Sequence, residues 1–420
     1  MIVEGRLISH EGERFGQVGI NPDTGLIEDV GEYLGTPDIR FYEQLVFPGF
    51  VDLHIHARED AGRKKVHKET FHTMSEAAIN GGVVLAGDMP NNDVPPVDDE
   101  SYEAKEGLAK ASLVDVFLYA GIGPGTRPLR REVPYKAYIG AVSRGGPNPY
   151  VERLDLHTRD DVEEAVSHYG HRNVSYHCED SDVLARSAAQ MTHEQRRPRE
   201  AEVMATDFAL YLIRKYRQHG KLCHFSIGTH MDRIRRARER YVDVVLEATP
   251  HHLYFDTSML MDKNRLWLQV NSPLRSPDDR EALIEGLRYG DIDYLATDHA
   301  PHTRDEKLKG ISGIPHLDTY GAFTTWLMRE HCYTPQDIAR VCSYNPGLFA
   351  GHFMPVKYGR IEPGYAGSLT VIDMSAPYMV TRENLKTKCG WSPFEGMTFP
   401  GSVSCTIVRG KVYRHYTQRH

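Results

Sequence analysis

The chain has 420 residues, 40% of them hydrophobic and 26% charged. That length exceeds one small module and suits a large barrel with an accessory piece, while the composition is globular and excludes a disordered chain. A count of 50 Lys+Arg against 58 Asp+Glu leaves a formal charge of −8, which repels phosphate backbones and argues against nucleic acid as a partner. No run approaches the roughly 18 consecutive apolar residues of a membrane span. The start Met1-Ile2-Val3-Glu4-Gly5-Arg6 lacks the basic-then-apolar layout of a secretion signal, so a cytoplasmic location without a membrane partner is expected. The 6 cysteines, at 178, 223, 332, 342, 389 and 405, include no C-x-x-C pair and read as reduced, mostly buried thiols.

Along the chain, residues 1–8, 16–21 and 26–30 read as short strands separated by turns. The centre then alternates apolar strands with amphipathic helices, the pattern of a parallel α/β fold. Strand candidates fall at 49–56, 82–88, 114–120, 135–141, 173–177, 222–226, 242–247 and 294–298, and eight parallel strands close a barrel. Between them, Ser276-Pro277-Asp278-Asp279 starts a helix with a cap, a proline and acids in the first turn, and Gly290 stops it. Thr334-Pro335-Gln336-Asp337 repeats the device. Strands return at 368–373, 401–409 and 411–416, with turns at Glu362-Pro363-Gly364 and Arg409-Gly410-Lys411. The expected fold is therefore a (β/α)8 TIM-like barrel at 48–355, with a small β-sandwich domain formed by the N-terminal 1–47 and C-terminal 356–420 segments. A doubly wound open sheet is the rival, but no G-x-G-x-x-G turn follows the first central strand.

Histidine is the unusual component, with 22 in the chain, several of them at the ends of apolar runs. In Phe50-Val51-Asp52-Leu53-His54-Ile55-His56 the side chains alternate faces, so Asp52, His54 and His56 share one face. Two imidazoles at i, i+2 point into the same space, as chelation of one divalent cation requires. An H-x-H pair alone is as often an ordinary surface or core feature. However, His177 and Asp298 each end another candidate strand, His224 ends the run Lys221-Leu222-Cys223-His224, and functional side chains of a barrel collect at the strands' C-terminal ends. Lys136, in Pro134-Tyr135-Lys136-Ala137-Tyr138, reads as an ordinary exposed lysine or as a carbamate bridging two cations. Two Zn2+ against a carbamate, Asp298 and a bridging hydroxide would leave a residual positive charge that favours an anionic substrate.

With these residues in place the chain resembles the dihydroorotases of the amidohydrolase superfamily over nearly its whole length. The resemblance is carried by Pro48-Gly49-Phe50-Val51-Asp52-Leu53-His54-Ile55-His56-Ala57-Arg58, Asp88-Met89-Pro90-Asn91, His177-Cys178-Glu179-Asp180 and His224-Phe225-Ser226. It continues through Thr249-Pro250-His251-His252-Leu253, Asn271-Ser272-Pro273-Leu274-Arg275 and Thr297-Asp298-His299-Ala300-Pro301-His302. It implies two Zn2+ per subunit, with His54, His56 and Asp298 on one ion and His177 and His224 on the other. Carboxylated Lys136 and a hydroxide would bridge them. It implies reversible closure of N-carbamoyl-L-aspartate to L-dihydroorotate, a step of pyrimidine synthesis, with Asp298 as general base and acid. Arg58, Asn91 and His302 would hold the substrate carboxylate and Asn271 the ring, whereas read without the family Arg58 is a surface ion pair and the asparagines are turn residues. As to partners, it implies a small-molecule substrate, and by analogy a homodimer and association with aspartate transcarbamoylase.

Three segments depart from the family pattern: Glu59-Asp60-Ala61-Gly62 lacks its proline, Asn92 stands for threonine, and His316-Leu317-Asp318 replaces Gly-Leu-Glu in a loop expected over the site. The rival readings are an allantoinase or hydantoinase, for whose uncharged rings Arg58 has no purpose, and a non-catalytic assembly partner, which would typically have lost metal ligands.

Overall fold

The computed structural model describes residues 1–140 and 152–415. Eight parallel strands form the barrel: Phe50–Ile55, Val83–Asp88, Asp115–Leu118 (continued by Ala120–Gly121), Tyr135–Ile139, Asn173–Cys178, His219–Leu222, Val244–Ala248 and Tyr294–Leu295. Each pairs in parallel with the next, the third changing partner at Tyr119. The ring closes where Ile55 bridges His299 and where His56 N donates to His299 O at 2.9 Å. Strands such as Val83–Asp88 and Tyr135–Ile139 are buried on both faces, which is why they read as continuous runs without alternation.

Two of the expected strands are placed differently. The sixth ends at Leu222 instead of running through 222–226, and the eighth pairs only over Tyr294–Leu295. In both, the chain leaves the ladder because a site residue turns left-handed, His224 at φ 36° and Asp298 at φ 50°. These two candidate site residues thus lie just beyond their strands. Residues 141 and 416, the last of two expected strands, lie outside the described residues. The helix Pro277–Tyr289 has the Ser276 cap and the Gly290 stop as expected, and Thr334 caps Pro335–Ala339.

The two chain ends meet in one seven-stranded sheet in the order Lys411–Arg414, Ser402–Val408, Leu369–Asp373, Ile39–Pro48, Ile2–Ile8, Glu13–Ile20, Ile27–Gly31. Its central strand, Ile39–Pro48, was not anticipated, because Glu43-Gln44 interrupts its alternation. There the pairing with Ile2–Ile8 shifts register. This strand is the seam: it runs parallel to Ile2–Ile8 and antiparallel to Leu369–Asp373. Val3, Val18, Ile27, Val371 and Ile407 share one core although their strands span the sheet, so the sheet curls round its own interior. The main core fills the barrel and the layer of helices around it.

Candidate metal centre

The rim side chains converge. Ring centroids of His54 and His56 lie 5.4 Å apart, His54 and His224 5.6 Å, and His177 and His224 4.8 Å, so four imidazoles from three strands form one arc. Asp298 Oδ1 approaches His56 Nε2 at 2.9 Å and His54 Nε2 at 3.2 Å. All five side chains are buried. His54, His56 and Asp298 bring donor atoms within 4.8 Å of one another, a spacing one divalent ion can span. Cys223 reaches the same distance from His54 and Glu247, but Glu247 is already shared with Lys221.

Three of the four imidazoles have an outer partner that fixes the ring, the arrangement metal-binding histidines favour. His54 Nδ1 meets Glu247 Oε1 at 2.5 Å, His56 Nδ1 meets Asn91 Oδ1 at 2.6 Å, and His177 Nε2 meets Glu179 Oε2 at 3.0 Å. In a neutral ring, an N–H donated outward leaves the inner nitrogen with its lone pair. His177 Nδ1 and His224 Nε2 face each other at 3.0 Å, so two ring nitrogens compete for one proton or share a cation. Burial lowers His177, pushes His56 down to about 3 and holds His224 well below the usual imidazole range, keeping these rings neutral. Burial would also lower His54, but the Glu247 and Asp298 carboxylates raise it to about 9. The same His54 and His56 contacts overcome burial at Asp298 and hold its carboxyl below the usual range.

Lys136 is the exception to the rule that buried charges are paired. It is buried, its Nζ has no hydrogen-bond partner, and it stands 5.3 Å over the Tyr138 ring. His224 Nδ1 is likewise unpartnered. A lone ammonium among imidazoles is costly, whereas a carbamate in its place would supply anionic oxygens. The donor set therefore fits a pair of divalent cations.

Beside the arc, Arg58 is buried with the left-handed φ of 61°. Its Nε donates to Pro301 O at 3.3 Å and its Nη2 lies 3.2 Å from His302 Nε2, so the two residues expected at a carboxylate stand together. Asn91 joins them through its bond to His56. Asn271 is not tied by a hydrogen bond to the other site residues; its Oδ1 is buried and unpartnered.

The sequence reading missed the residues behind the ligands. Glu247 also accepts from Lys221 Nζ at 2.9 Å and His224 N at 3.0 Å. Glu179 accepts from Arg197 Nη1 at 2.6 Å. Asp52 accepts from His54 N at 3.0 Å and Thr297 N at 3.1 Å, pinning the first strand to the segment that carries Asp298. A usable signal existed: Glu247 is the single ionisable residue of Val244–Ala248.

The profile of the Amidohydrolase family matches residues 45–413. The dihydroorotase of Thermococcus kodakarensis is 31% identical over 98% of this chain and 94% of its own length. That of Pyrococcus horikoshii is 30% identical over 98% and 91%. Among solved structures, L-hydantoinase of Arthrobacter aurescens superposes with a TM-score of 0.86 at 22% identity, covering 99% of this chain and 96% of that one, a likeness of fold alone. Among the described residues no helix is long and apolar enough to cross a membrane. A binuclear metal site is the family's property, and the chain belongs to the amidohydrolase family as a metal-dependent hydrolase acting on cyclic amides.

Proposed function

We propose that the chain is a dihydroorotase, interconverting N-carbamoyl-L-aspartate and L-dihydroorotate, with His54, His56, Lys136, His177, His224 and Asp298 as metal ligands. The observation that carries this reading is the Arg58–His302 pair, 3.2 Å apart and buried beside the histidine arc. A guanidinium there can grip a carboxylate through two parallel hydrogen bonds, and dihydroorotate brings a carboxylate that hydantoin and allantoin rings lack. The curated relatives named dihydroorotase support the same substrate.

When bound, two divalent cations, zinc by family analogy, would polarise the ring carbonyl and make water reactive at neutral pH. Lys136 would hold them as a carbamate, which removes its unpaired charge. Arg58, His302 and Asn91 bind and orient the substrate carboxylate, and the unpartnered Asn271 Oδ1 accepts from a ring N–H. Asp298 takes a proton from the attacking water at its carboxylate and returns it to the leaving ring nitrogen. Because Asp298 is a base in hydrolysis and an acid in closure, the two directions respond oppositely to pH. The test is metal content by elemental analysis alongside turnover of dihydroorotate, hydantoin and allantoin. Turnover of dihydroorotate alone is expected; turnover of an uncharged ring with no effect of Arg58→Met refutes the substrate, and a metal-bearing protein inert on all three revives the non-catalytic alternative.

A further inference from the structure

The loop after the first strand and the loop after the eighth meet in a charged knot whose Lys68 and Glu306 the chemistry above leaves unused. Lys68 Nζ lies 2.7 Å from Glu306 Oε1 and 3.2 Å from His302 Nδ1, and Lys68 and His302 are both buried. Glu306 is itself fixed, because its Oε2 accepts Thr303 N at 2.9 Å in the capping box of helix Arg304–Leu308. On the far side of the ring, His302 Nε2 lies 3.2 Å from Arg58 Nη2. Burial, opposed by Glu306 and aided by the Arg58 and Lys68 cations, pushes His302 down to about 3, so the imidazole is neutral.

A neutral imidazole has one N–H and one lone pair. It can accept from Lys68 or from Arg58, never from both. When Nδ1 accepts from the ammonium, the ring proton sits on Nε2 and stands beside the Arg58 N–H. Two donors side by side match the two oxygens of a carboxylate. When Nε2 accepts from Arg58 instead, the proton moves to Nδ1, where Glu306 Oε2 waits 3.5 Å away. The ring is then lost to an incoming anion.

We infer that Lys68 is a positioning residue that sets the tautomer of His302, keeping Nε2–H ready for the substrate carboxylate. The inference rests on the proposed Arg58–His302 clamp and adds what arranges it. Preset donors spare the substrate the cost of rearranging the ring on binding.

The test uses the metal-loaded full chain as wild type, Lys68→Met and Lys68→Arg. With Lys68→Met the KM for dihydroorotate should rise about tenfold, the worth of one hydrogen bond, while kcat moves less than about twofold. Lys68→Arg, which keeps a donor, should restore most of the loss. In ligand-free protein with 15N-labelled histidine, the His302 resonances, assigned by their absence in His302→Gln, should report Nε2–H in wild type and Nδ1–H in Lys68→Met. An unchanged tautomer in Lys68→Met overturns the inference, and so does an altered tautomer with an unaltered KM. If Arg58→Met leaves turnover intact while the tautomer still follows Lys68, the clamp has failed and the control of the ring by Lys68 stands.

Discussion

Glu247→Gln separates two jobs done by one carboxylate. The group is fully buried and holds His54 Nδ1 at 2.5 Å, Lys221 Nζ at 2.9 Å and His224 N at 3.0 Å. Burial would raise its pKa, but His54 and Lys221 hold it well below the usual carboxylate range, so it is ionised at any working pH. The amide keeps the shape and removes the charge. Lys221 is then left with the Tyr119 hydroxyl at 3.0 Å and the Leu53 carbonyl at 3.5 Å, a buried cation without its counter-ion, which costs about 3–5 kcal/mol. His54 Nδ1 keeps only a neutral amide oxygen in place of the carboxylate that orients it and makes it basic, and mutating such an outer partner typically weakens metal binding about 10–100-fold.

The two effects come apart in Glu247→Gln with Lys221→Met. Removing both charges is close to neutral where removing one is not, so denaturant unfolding of the metal-free double variant should recover most of the stability. Its metal affinity, measured by competition with a chelator, should stay low because His54 still lacks the carboxylate that raises its basicity. A single variant that unfolds with wild-type stability, or a double variant that regains full metal affinity, would refute this division of labour.

Arg58→Met should raise the KM for dihydroorotate by about 10²-fold or more, as loss of a buried charge-assisted pair does, with metal content unchanged by elemental analysis. Lys136→Met should lose metal and also the 13C carbamate resonance that wild type acquires on equilibration with 13C-bicarbonate; a resonance that persists places the carbamate elsewhere. Burial holds His193, bonded through Nε2 to Val270 O at 2.9 Å, down at about 3 from an ordinary 6.5. The unfolded chain therefore binds the extra proton between those values, and stability should rise with pH across that window by up to about 1.4 kcal/mol per pH unit. His193→Gln should remove this contribution from the pH dependence of unfolding. Gly140→Ala should destabilise sharply, because φ is +67° and a Cβ would fall 1.7 Å from Glu179 O, beside the His177 support; wild-type melting would show that this turn can yield.

The parts of the site legible in the sequence are those where one residue's type and place are informative alone. His54, His56, His177, His224 and Asp298 each follow an apolar run, and a barrel rim collects whatever follows its strands. Strand ends were less legible, because Leu222 and Leu295 stop their ladders where His224 and Asp298 turn left-handed, a tertiary demand that no propensity carries. Outer partners were not legible at all. Glu247 lies 193 residues from the His54 it orients, and the stagger of strands that brings them together is settled only when the ring closes.

The two interior lysines make the limit concrete. Lys136 and Lys221 each sit in a buried barrel strand, and each is 1% exposed. Periodicity alone treats them alike, and the family resemblance is what singles out Lys136. The structure gives Lys221 a carboxylate at 2.9 Å and a phenol at 3.0 Å, and it gives Lys136 no hydrogen bond. A paired buried ammonium is structural. An unpaired one, set among imidazoles, raises the energy of the fold unless its charge changes sign. Carbamate formation would make that change and turn the lysine from a cost into a ligand, which is why the lysine without a hydrogen-bond partner is the one proposed for the metals.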